Sequence, residues 1–344
     1  MPVSDSVEIR LEENFKNGKI TFSDSARKQY AKSNGIVGNH SGVQICLWNK
    51  KVLRGDRGCY KAKFYGVQTH RCAQISPALA WCNEACIFCW RPMEWMKKTK
   101  FEESEVDEPK EILDGVVAAR RKLLSGFGAW PDRKKFNEAF ELFPSHWAIS
   151  LSCEPTIYPK LGEMVRLLRE TPEVKTIFIV TNGQEPERLR ALSKTNSLPT
   201  QIYLSLAAYD EESFKKINRS VYADGWERLM ETISLFADLP CRRVIRLTLI
   251  RGVNDTPDAA LTKYAKIIET SQTDFVEIKS FMALGFSRKR LGSKHMADMD
   301  HVRAFAQSIL EHLPNYHLEA EDGVSFVLLL KRNDSKYENI ISKC

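Results

Sequence analysis

Six of the nine cysteines in this 344-residue chain fall within the 44 residues from Cys46 to Cys89. They form two sets of three. Cys82-Asn-Glu-Ala-Cys86-Ile-Phe-Cys89 reads C-x3-C-x2-C, and Cys46, Cys59 and Cys72 read C-x12-C-x12-C. Thiolates are soft ligands, and groups of them select zinc or iron–sulfur clusters. The count of three is the informative part. A cubane of four irons held by three cysteines keeps one iron open to an outside ligand, whereas an electron carrier closes all four. A structural zinc site wants a fourth ligand close by, and the short loop from Cys82 to Cys89 lacks one. An odd cysteine count with no apolar leader near the N-terminus argues against a disulfide framework. Cys153, Cys241 and Cys344 fit neither pattern and are read as non-ligands, Cys153 as a small buried residue.

The C-x3-C-x2-C set resembles the radical S-adenosylmethionine signature, C-x3-C-x-aromatic-C, with Phe88 in the aromatic slot. That resemblance implies a 4Fe-4S cluster whose open iron chelates the amino and carboxylate groups of the methionine moiety. Phe88 would then lie beside the adenine. The evenly spaced set is a weaker signal by itself. Twelve residues suffice for a strand, a turn and a return strand, so Cys46, Cys59 and Cys72 are expected to return to one edge. Beside the first signature, they are read as ligands of a second 4Fe-4S cluster with its own open iron.

Such loops need rigid elements to hold them. Apolar, β-branched runs alternate with amphipathic stretches, the pattern of a βα repeat with a parallel sheet. Strands are predicted at 72–79, 146–153, 175–181, 201–207, 243–250 and 275–282. Several are apolar almost throughout, as in Thr176-Ile-Phe-Ile-Val180, which suits strands covered on both faces. Helices are predicted at 109–124, 160–170, 185–193, 225–237, 257–269 and 299–313, with start signals at Asp255-Thr-Pro257 and Asp298-Met-Asp300. One more strand, 325–331, precedes a polar tail. Six βα units describe an α/β chain with a partial (β/α)6 TIM barrel of the radical SAM type. An N-terminal extension and an extra C-terminal strand flank it. A doubly wound sheet shares this alternation, but the cysteine loop directly after the first strand favours the partial barrel. The expected division is a cap at 1–45, an auxiliary cluster segment at 46–72, the barrel at 73–284, and a basic segment, helix, strand and tail at 285–344.

Hydrophobic residues at 43% and charged residues at 28% exclude disorder, collagen and coiled coil as descriptions of the whole. No run approaches the ~18 consecutive apolar residues of a membrane span, so a cytoplasmic protein is expected. Lys and Arg outnumber Asp and Glu by 51 to 44, a net charge of +7. The excess is concentrated. Lys50, Lys51, Arg54, Arg57, Lys61, Lys63 and Arg71 face one acid, Asp56, between Cys46 and Cys72. Arg288, Lys289, Arg290 and Lys294 form a second block. Such blocks are either solvated faces or the footprint of phosphate-backbone binding. Lys50, Lys51, Arg288, Lys289 and Arg290 are the expected contacts to a nucleic-acid phosphate backbone. Trp48, Trp81, Trp90 and Trp95 gather near the cysteines, where they either stack on a splayed base or pack in the core.

Longer stretches carry a more specific likeness. They are Val37-Gly-Asn-His-Ser41, Cys46-Leu-Trp-Asn-Lys-Lys-Val-Leu-Arg-Gly55, Cys59-Tyr-Lys-Ala-Lys-Phe-Tyr-Gly66, His70-Arg-Cys72, Ser76-Pro-Ala-Leu-Ala-Trp-Cys82 and Cys89-Trp-Arg-Pro92. Glu154-Pro-Thr-Ile-Tyr-Pro159, Thr181-Asn-Gly183 and Phe286-Ser-Arg-Lys-Arg-Leu291 follow. Together they resemble the single-domain archaeal 4-demethylwyosine synthases of tRNA wyosine biosynthesis. The resemblance implies a reaction on N1-methylguanosine at position 37 of tRNA-Phe. Cleavage of S-adenosyl-L-methionine yields a 5′-deoxyadenosyl radical, which takes hydrogen from the base N-methyl group. The methylene radical joins a two-carbon unit of pyruvate, carbon one leaves, and ring closure gives the tricyclic base, a lyase chemistry.

The same resemblance assigns roles to single residues. Lys61 is similar to the lysine that forms a Schiff base with pyruvate; its plainer role is a phosphate contact or cluster counter-charge. Lys63, two residues on along an expected strand, faces the same side and is the second choice. Glu154 and Thr156 resemble the motif that meets the methionine amino group, and Asn182, Ser205 and Asn254 complete the cofactor rim. Asn182 and Asn254 are equally readable as turn or cap residues. Eukaryotic relatives carry a flavodoxin-like domain ahead of this core. Forty-five residues are too few for one, so a separate flavodoxin- or ferredoxin-type donor, or a small reductant, is expected to serve a monomeric enzyme. The chain departs from the family at Cys153, usually Gly, at Ala207, usually Asp, and at Asn218-Arg-Ser220, usually Asp-Arg-Pro. A radical enzyme acting on another RNA base, a small molecule or a peptide would share the first cysteine set without needing the basic blocks.

Overall fold

The structure, a computed structural model, describes residues 14–93, 100–255 and 258–341. Its strands are β1 (Asn14–Lys16), β2 (Lys19–Thr21), β3 (Gly35–Val37), β4 (Ser41–Gln44), β5 (Cys72–Ser76) and β6 (His146–Ile149). Then come β7 (Thr176–Thr181), β8 (Gln201–Leu206), β9 (Arg242–Leu249), β10 (Phe275–Ser280), β11 (Tyr316–Asp322) and β12 (Val327–Arg332). The helices are α1 (Asp24–Ala31), α2 (Leu47–Leu53), α3 (Tyr60–Tyr65), α4 (Pro109–Leu124), α5 (Arg133–Glu141) and α6 (Leu161–Glu170). After them come α7 (Pro186–Lys194), α8 (Glu211–Ile217), α9 (Gly225–Phe236), α10 (Asp258–Ser271), α11 (Ser287–Arg290) and α12 (Met299–Leu310). The start signal at Thr256-Pro257, together with Trp95 and Cys344, lies outside the described residues.

Ten strands form one sheet in the order β11-β12-β10-β9-β8-β7-β6-β5-β4-β3. The six from β5 to β10 are parallel neighbours in sequence order, which is the partial (β/α)6 barrel. Antiparallel strands flank it on both sides. Side-chain alternation divides the barrel into two cores. Ile177, Ile179, Ile202, Leu204, Ile245, Leu247, Val276 and Ile278 face outward under the helices. The intervening Phe178, Tyr203, Val244 and Phe275 face inward and pack on Tyr60, Phe64 and Tyr65. Helix α3 therefore sits inside the barrel as a plug. Its end lies at the N-terminal, or floor, end of the strands, where the Gln68 amide donates to His146 Nε2 at the start of β6 (3.1 Å). Nearer the mouth the inward positions Val180, Ser205, Arg246, Thr248 and Lys279 are only half-buried, because they line an open lumen.

The structure corrects the sequence reading in three places. The C-x12-C-x12-C segment forms helices, not strands, between its cysteines. Tyr60, Phe64 and Tyr65 share one side of a helix at i, i+4 and i+5 spacing, and Gly66 at φ +74° stops it in the left-handed conformation a glycine favours. The C-terminal strand is half of a hairpin with β11. That partner carries no clean apolar alternation and a register shift between Leu318 and Ala320, so periodicity does not reveal it. Finally, β3 and β4, expected within a cap, extend the barrel sheet past β5.

Candidate active site

The loop after β5 carries Cys82, Cys86 and Cys89. Its backbone is fastened by an isolated bridge between Glu84 and Ser220 and by the Ile87 amide, which donates to Ile217 O (2.9 Å). Arg290 fastens it from the other side, donating to the carbonyls of Ile87 (3.3 Å), Arg91 (3.2 Å) and Cys89. That guanidinium is spent on the loop, which corrects its reading as a phosphate contact. Phe88 packs beside Ile87 on Ala207, Ile217, Ile250 and Phe281, just beyond the C-terminal ends of β8 to β10.

Burial pushes the Cys82 and Cys86 thiols well up, and Cys86 feels both Cys82 and Cys89. Thiols held in this state ionise when a metal displaces their protons. Among the described residues no three His, Cys, Asp or Glu side chains close tightly enough to share one metal ion.

Beside the loop, β6 leads into Cys153 and Glu154. Four donors converge on the buried Glu154 carboxylate. Thr156 N (3.0 Å), Thr156 Oγ1 (2.6 Å) and Thr181 Oγ1 (2.7 Å) reach Oε1, and Asn182 N (2.8 Å) reaches Oε2. Burial raises this carboxyl to about 7 against the pull of those hydrogen bonds. The Asn182 amide donates to Asn83 Oδ1 (2.6 Å), so Glu154, Thr156 and Asn182 form one rim with the cysteine loop. Asn83 escaped the sequence reading because nothing in its spacing marks it. Ser205 lies half-buried in the lumen, paired in register with Arg246.

Asn254 is a correction. Its Oδ1 accepts from Ile250 N (2.7 Å), and its Nδ2 donates to Ala207 O and Thr248 O (both 2.8 Å). Both amide donors are committed to tying the ends of β8 and β9 together, which leaves none for a ribose or carboxylate.

Cys153 adopts φ +63°, which explains why glycine suits this position. Its Sγ donates to Leu79 O (2.9 Å) and lies 3.1 Å from Ser152 Oγ. Removing left-handed strain recovers ~1–2 kcal/mol, and losing a buried hydrogen bond costs ~1 kcal/mol. Cys153→Gly is therefore expected to stabilise the protein slightly, read as a higher urea midpoint. A lower midpoint would show that the thiol contacts outweigh the strain.

The second set meets at the barrel floor. Cys46 caps α2, accepting from Asn49 N (3.4 Å), Cys59 precedes α3, and Cys72 opens β5. Asn49 Nδ2 binds the Thr69 (3.0 Å) and Cys72 (3.3 Å) carbonyls, drawing the ends of the segment together. Burial pushes the Cys72 thiol to about 12, with Cys46 and Cys59 adding to the shift. The structure brings the three cysteines together, two at helix starts and one at the first residue of β5.

Lys61 projects from α3 into the lumen, with Nζ 4.2 Å from the Tyr203 ring centre and 4.6 Å from that of Phe178. Burial, then Arg246, lower its pKa to about 8 while Glu277 pulls the other way. Lys63 does not share this side. Two helical residues turn through ~200°, and Lys63 is exposed, donating to Glu321 O (2.6 Å). Around Lys61, Glu277 accepts from Tyr65 OH (2.8 Å), Tyr60 OH (2.9 Å) and Arg246 Nε (3.0 Å).

The remaining basic residues do not form one track. Lys50 and Lys51 lie on α2 at the floor, Lys51 near Asp56 (3.8 Å) and 4.9 Å from the Trp48 ring centre. Arg288 and Lys289 follow β10 at the mouth. Trp81 is core, packed on Phe22 and Phe101, while Trp90 is exposed.

Residues 77–263 match the radical SAM superfamily, and residues 270–332 match the wyosine base formation family. The S-adenosyl-L-methionine-dependent tRNA 4-demethylwyosine synthase of Pyrococcus abyssi (strain GE5 / Orsay) is 46% identical over 332 residues, 93% of this chain and 94% of its own. The chain belongs to this family of synthases. The Methanocaldococcus jannaschii 4-demethylwyosine synthase is 35% identical over 87% of this chain and 93% of its own. A solved structure of TYW1 with a lysine–pyruvate adduct bound superposes with a TM-score of 0.80 at 33% identity, over 93% of this chain and 99% of that one. An archaeal TYW1 crystal structure gives 0.72 at 30%, over 92% and 99%. As a 4-demethylwyosine synthase the chain is a radical SAM enzyme, with S-adenosyl-L-methionine and a 4Fe-4S cluster as cofactors. Among the described residues no helix is long and apolar enough to cross a membrane. The wyosine-family segment supplies Glu277 and Lys279 to the lumen, and Asp322, which grips Arg57 beside Cys59.

Proposed function

We propose that this enzyme joins two carbons of pyruvate to N1-methylguanosine at position 37 of tRNA-Phe, with Lys61 holding pyruvate as an imine. A 4Fe-4S cluster on Cys82, Cys86 and Cys89 would supply the electron that cleaves S-adenosyl-L-methionine, and a second one fits Cys46, Cys59 and Cys72. The observation that carries the reading is the position of Lys61. It is a half-buried amine within the lumen, two residues after Cys59, in a chain whose solved relative bears a lysine–pyruvate adduct. The neutral amine is the form that attacks a ketone. Glu154, held by four donors, would accept the ammonium of the methionine moiety in this reading. The aromatic walls formed by Tyr60, Phe178 and Tyr203 exclude water from the deep lumen.

Arg288 and Lys289 at the mouth are the phosphate contacts in this reading. Replacing both by Ala should flatten the log–log salt dependence of tRNA binding by roughly 0.7–0.9 per contact, whereas Lys50→Ala with Lys51→Ala should leave it unchanged. The reverse result in filter binding would move the tRNA to the floor. The electron donor is assigned to a separate flavodoxin- or ferredoxin-type protein, and the enzyme to a cytoplasmic monomer. The deciding experiment is anaerobic reconstitution with tRNA, S-adenosyl-L-methionine and pyruvate, followed by nucleoside mass spectrometry. The tricyclic base is expected. Deoxyadenosine without that base would transfer the radical chemistry to a different substrate.

A further inference from the structure

Among the described residues the lumen holds three cations, Lys61, Arg246 and Lys279, around one carboxylate, Glu277. Two of these charges answer each other. Both Glu277 oxygens are occupied, and Arg246 donates to Glu277 Oε2 (3.0 Å) and to Tyr60 OH (2.9 Å) while lying 4.6 Å from the Tyr203 ring centre. Lys279 is different. It sits two residues after Glu277 on the same inward face of β10, level with Thr248 of β9, and is half-buried. Its Nζ donates to a neutral acceptor, Ser325 O (2.6 Å), and among the described residues no carboxylate lies within ion-pair distance of it. An ammonium has three donors, so two remain for the lumen. Lys61 Nζ and Arg246 both lie over the Tyr203 ring, Arg246 donates to Tyr60 OH (2.9 Å), and Lys279 Nζ lies 5.3 Å from the Tyr60 ring centre, so the two amines border one space.

We propose that Lys279 binds the carboxylate of the 2-oxo acid whose carbonyl Lys61 captures. The inference rests on the imine reading above and adds the group that selects an acid over a neutral ketone. The protein around Lys279 disfavours its charge. Burial and Arg246 lower its pKa to about 8, with Glu277 and Asp322 only partly compensating. A bound carboxylate would relieve that imbalance. Glu277 does not pair with Lys279 in the structure; its oxygens accept from the two tyrosines and Arg246.

The test is borohydride trapping on the reconstituted enzyme over a range of concentrations, with labelled pyruvate and with labelled methyl pyruvate, its uncharged ester. The wild type should be trapped at much lower concentrations of pyruvate than of the ester. In Lys279→Met the half-saturating pyruvate concentration should rise about tenfold or more, the range expected for a lost charge-assisted hydrogen bond, while ester trapping stays unchanged. Lys279→Arg should restore the preference for the acid. Equal shifts for both compounds would mean that Lys279 merely supports the fold, and no shift would mean that the carboxylate lies elsewhere. Either result overturns the assignment. A changed midpoint potential at the auxiliary cysteines with unaltered pyruvate saturation would make Lys279 a cluster counter-charge, which also overturns it. If the wild type traps neither compound on Lys61, the imine reading fails first and takes this inference with it.

Discussion

Lys61→Ala yields no tricyclic base, while S-adenosyl-L-methionine is still cleaved and tRNA still binds. The expected loss of product is at least ~10³-fold, because the substitution removes the nucleophile itself and not a supporting contact. Cleavage is spared because the cysteine loop follows β5 at the mouth, whereas Lys61 rises from the plug at the floor. Borohydride with labelled pyruvate should mark the wild type and leave Lys61→Ala unmarked. Lys63→Ala should be marked normally, since that side chain points outward to Glu321. Labelling that survives in Lys61→Ala and disappears in Lys279→Ala would move the nucleophile to the other lumen amine. Product formed by Lys61→Ala would remove the imine from the reaction altogether.

Changing any one of Cys82, Cys86 or Cys89 to Ala should abolish deoxyadenosine formation. Iron content should fall from about eight to about four per chain, the difference of one cubane. The floor set should remain reducible, and trapping of pyruvate on Lys61 should persist. The matching change at Cys46, Cys59 or Cys72 should do the opposite, leaving deoxyadenosine and removing the tricyclic base. Iron counting with electron paramagnetic resonance on both sets of variants separates the cases. A wild type that holds only about four irons would end the two-cluster reading.

Much of the architecture is legible in the chain because its signals are local. Each predicted barrel strand overlaps an observed one, and the helix at 109–124 matches α4, whose start carries Pro109 and a Glu108–Glu111 capping box. The cysteine sets stand out for a related reason, since the cluster chemistry proposed for them would impose their spacing. The lumen charges are not legible. Phe275-Val-Glu277-Ile-Lys279 alternates like a strand with one wet face, and nothing local says that this face closes on itself around a plug. Arg246 and Glu277 become partners only through the register of β9 with β10. The commitments of Arg290 and Asn254 to backbone carbonyls are likewise tertiary facts. Type and position advertised them as surface cation and rim amide, while the fold uses them as fasteners.

The plug has a consequence for how the protein is made. Tyr60 meets Glu277 across 217 residues of chain, and Arg57 meets Asp322 across 265. Contacts that distant in sequence carry a large loop-closure cost and depend on the intervening structure being in place. On the ribosome, the segment bearing Cys59 and Lys61 emerges early, yet its berth is completed only after residue 322 has followed. A nascent or truncated chain can therefore build sheet and outer helices while its reactive amine stays unseated and fully hydrated. In the imine reading, reactivity toward ketones thus arrives last, together with the walls that contain it.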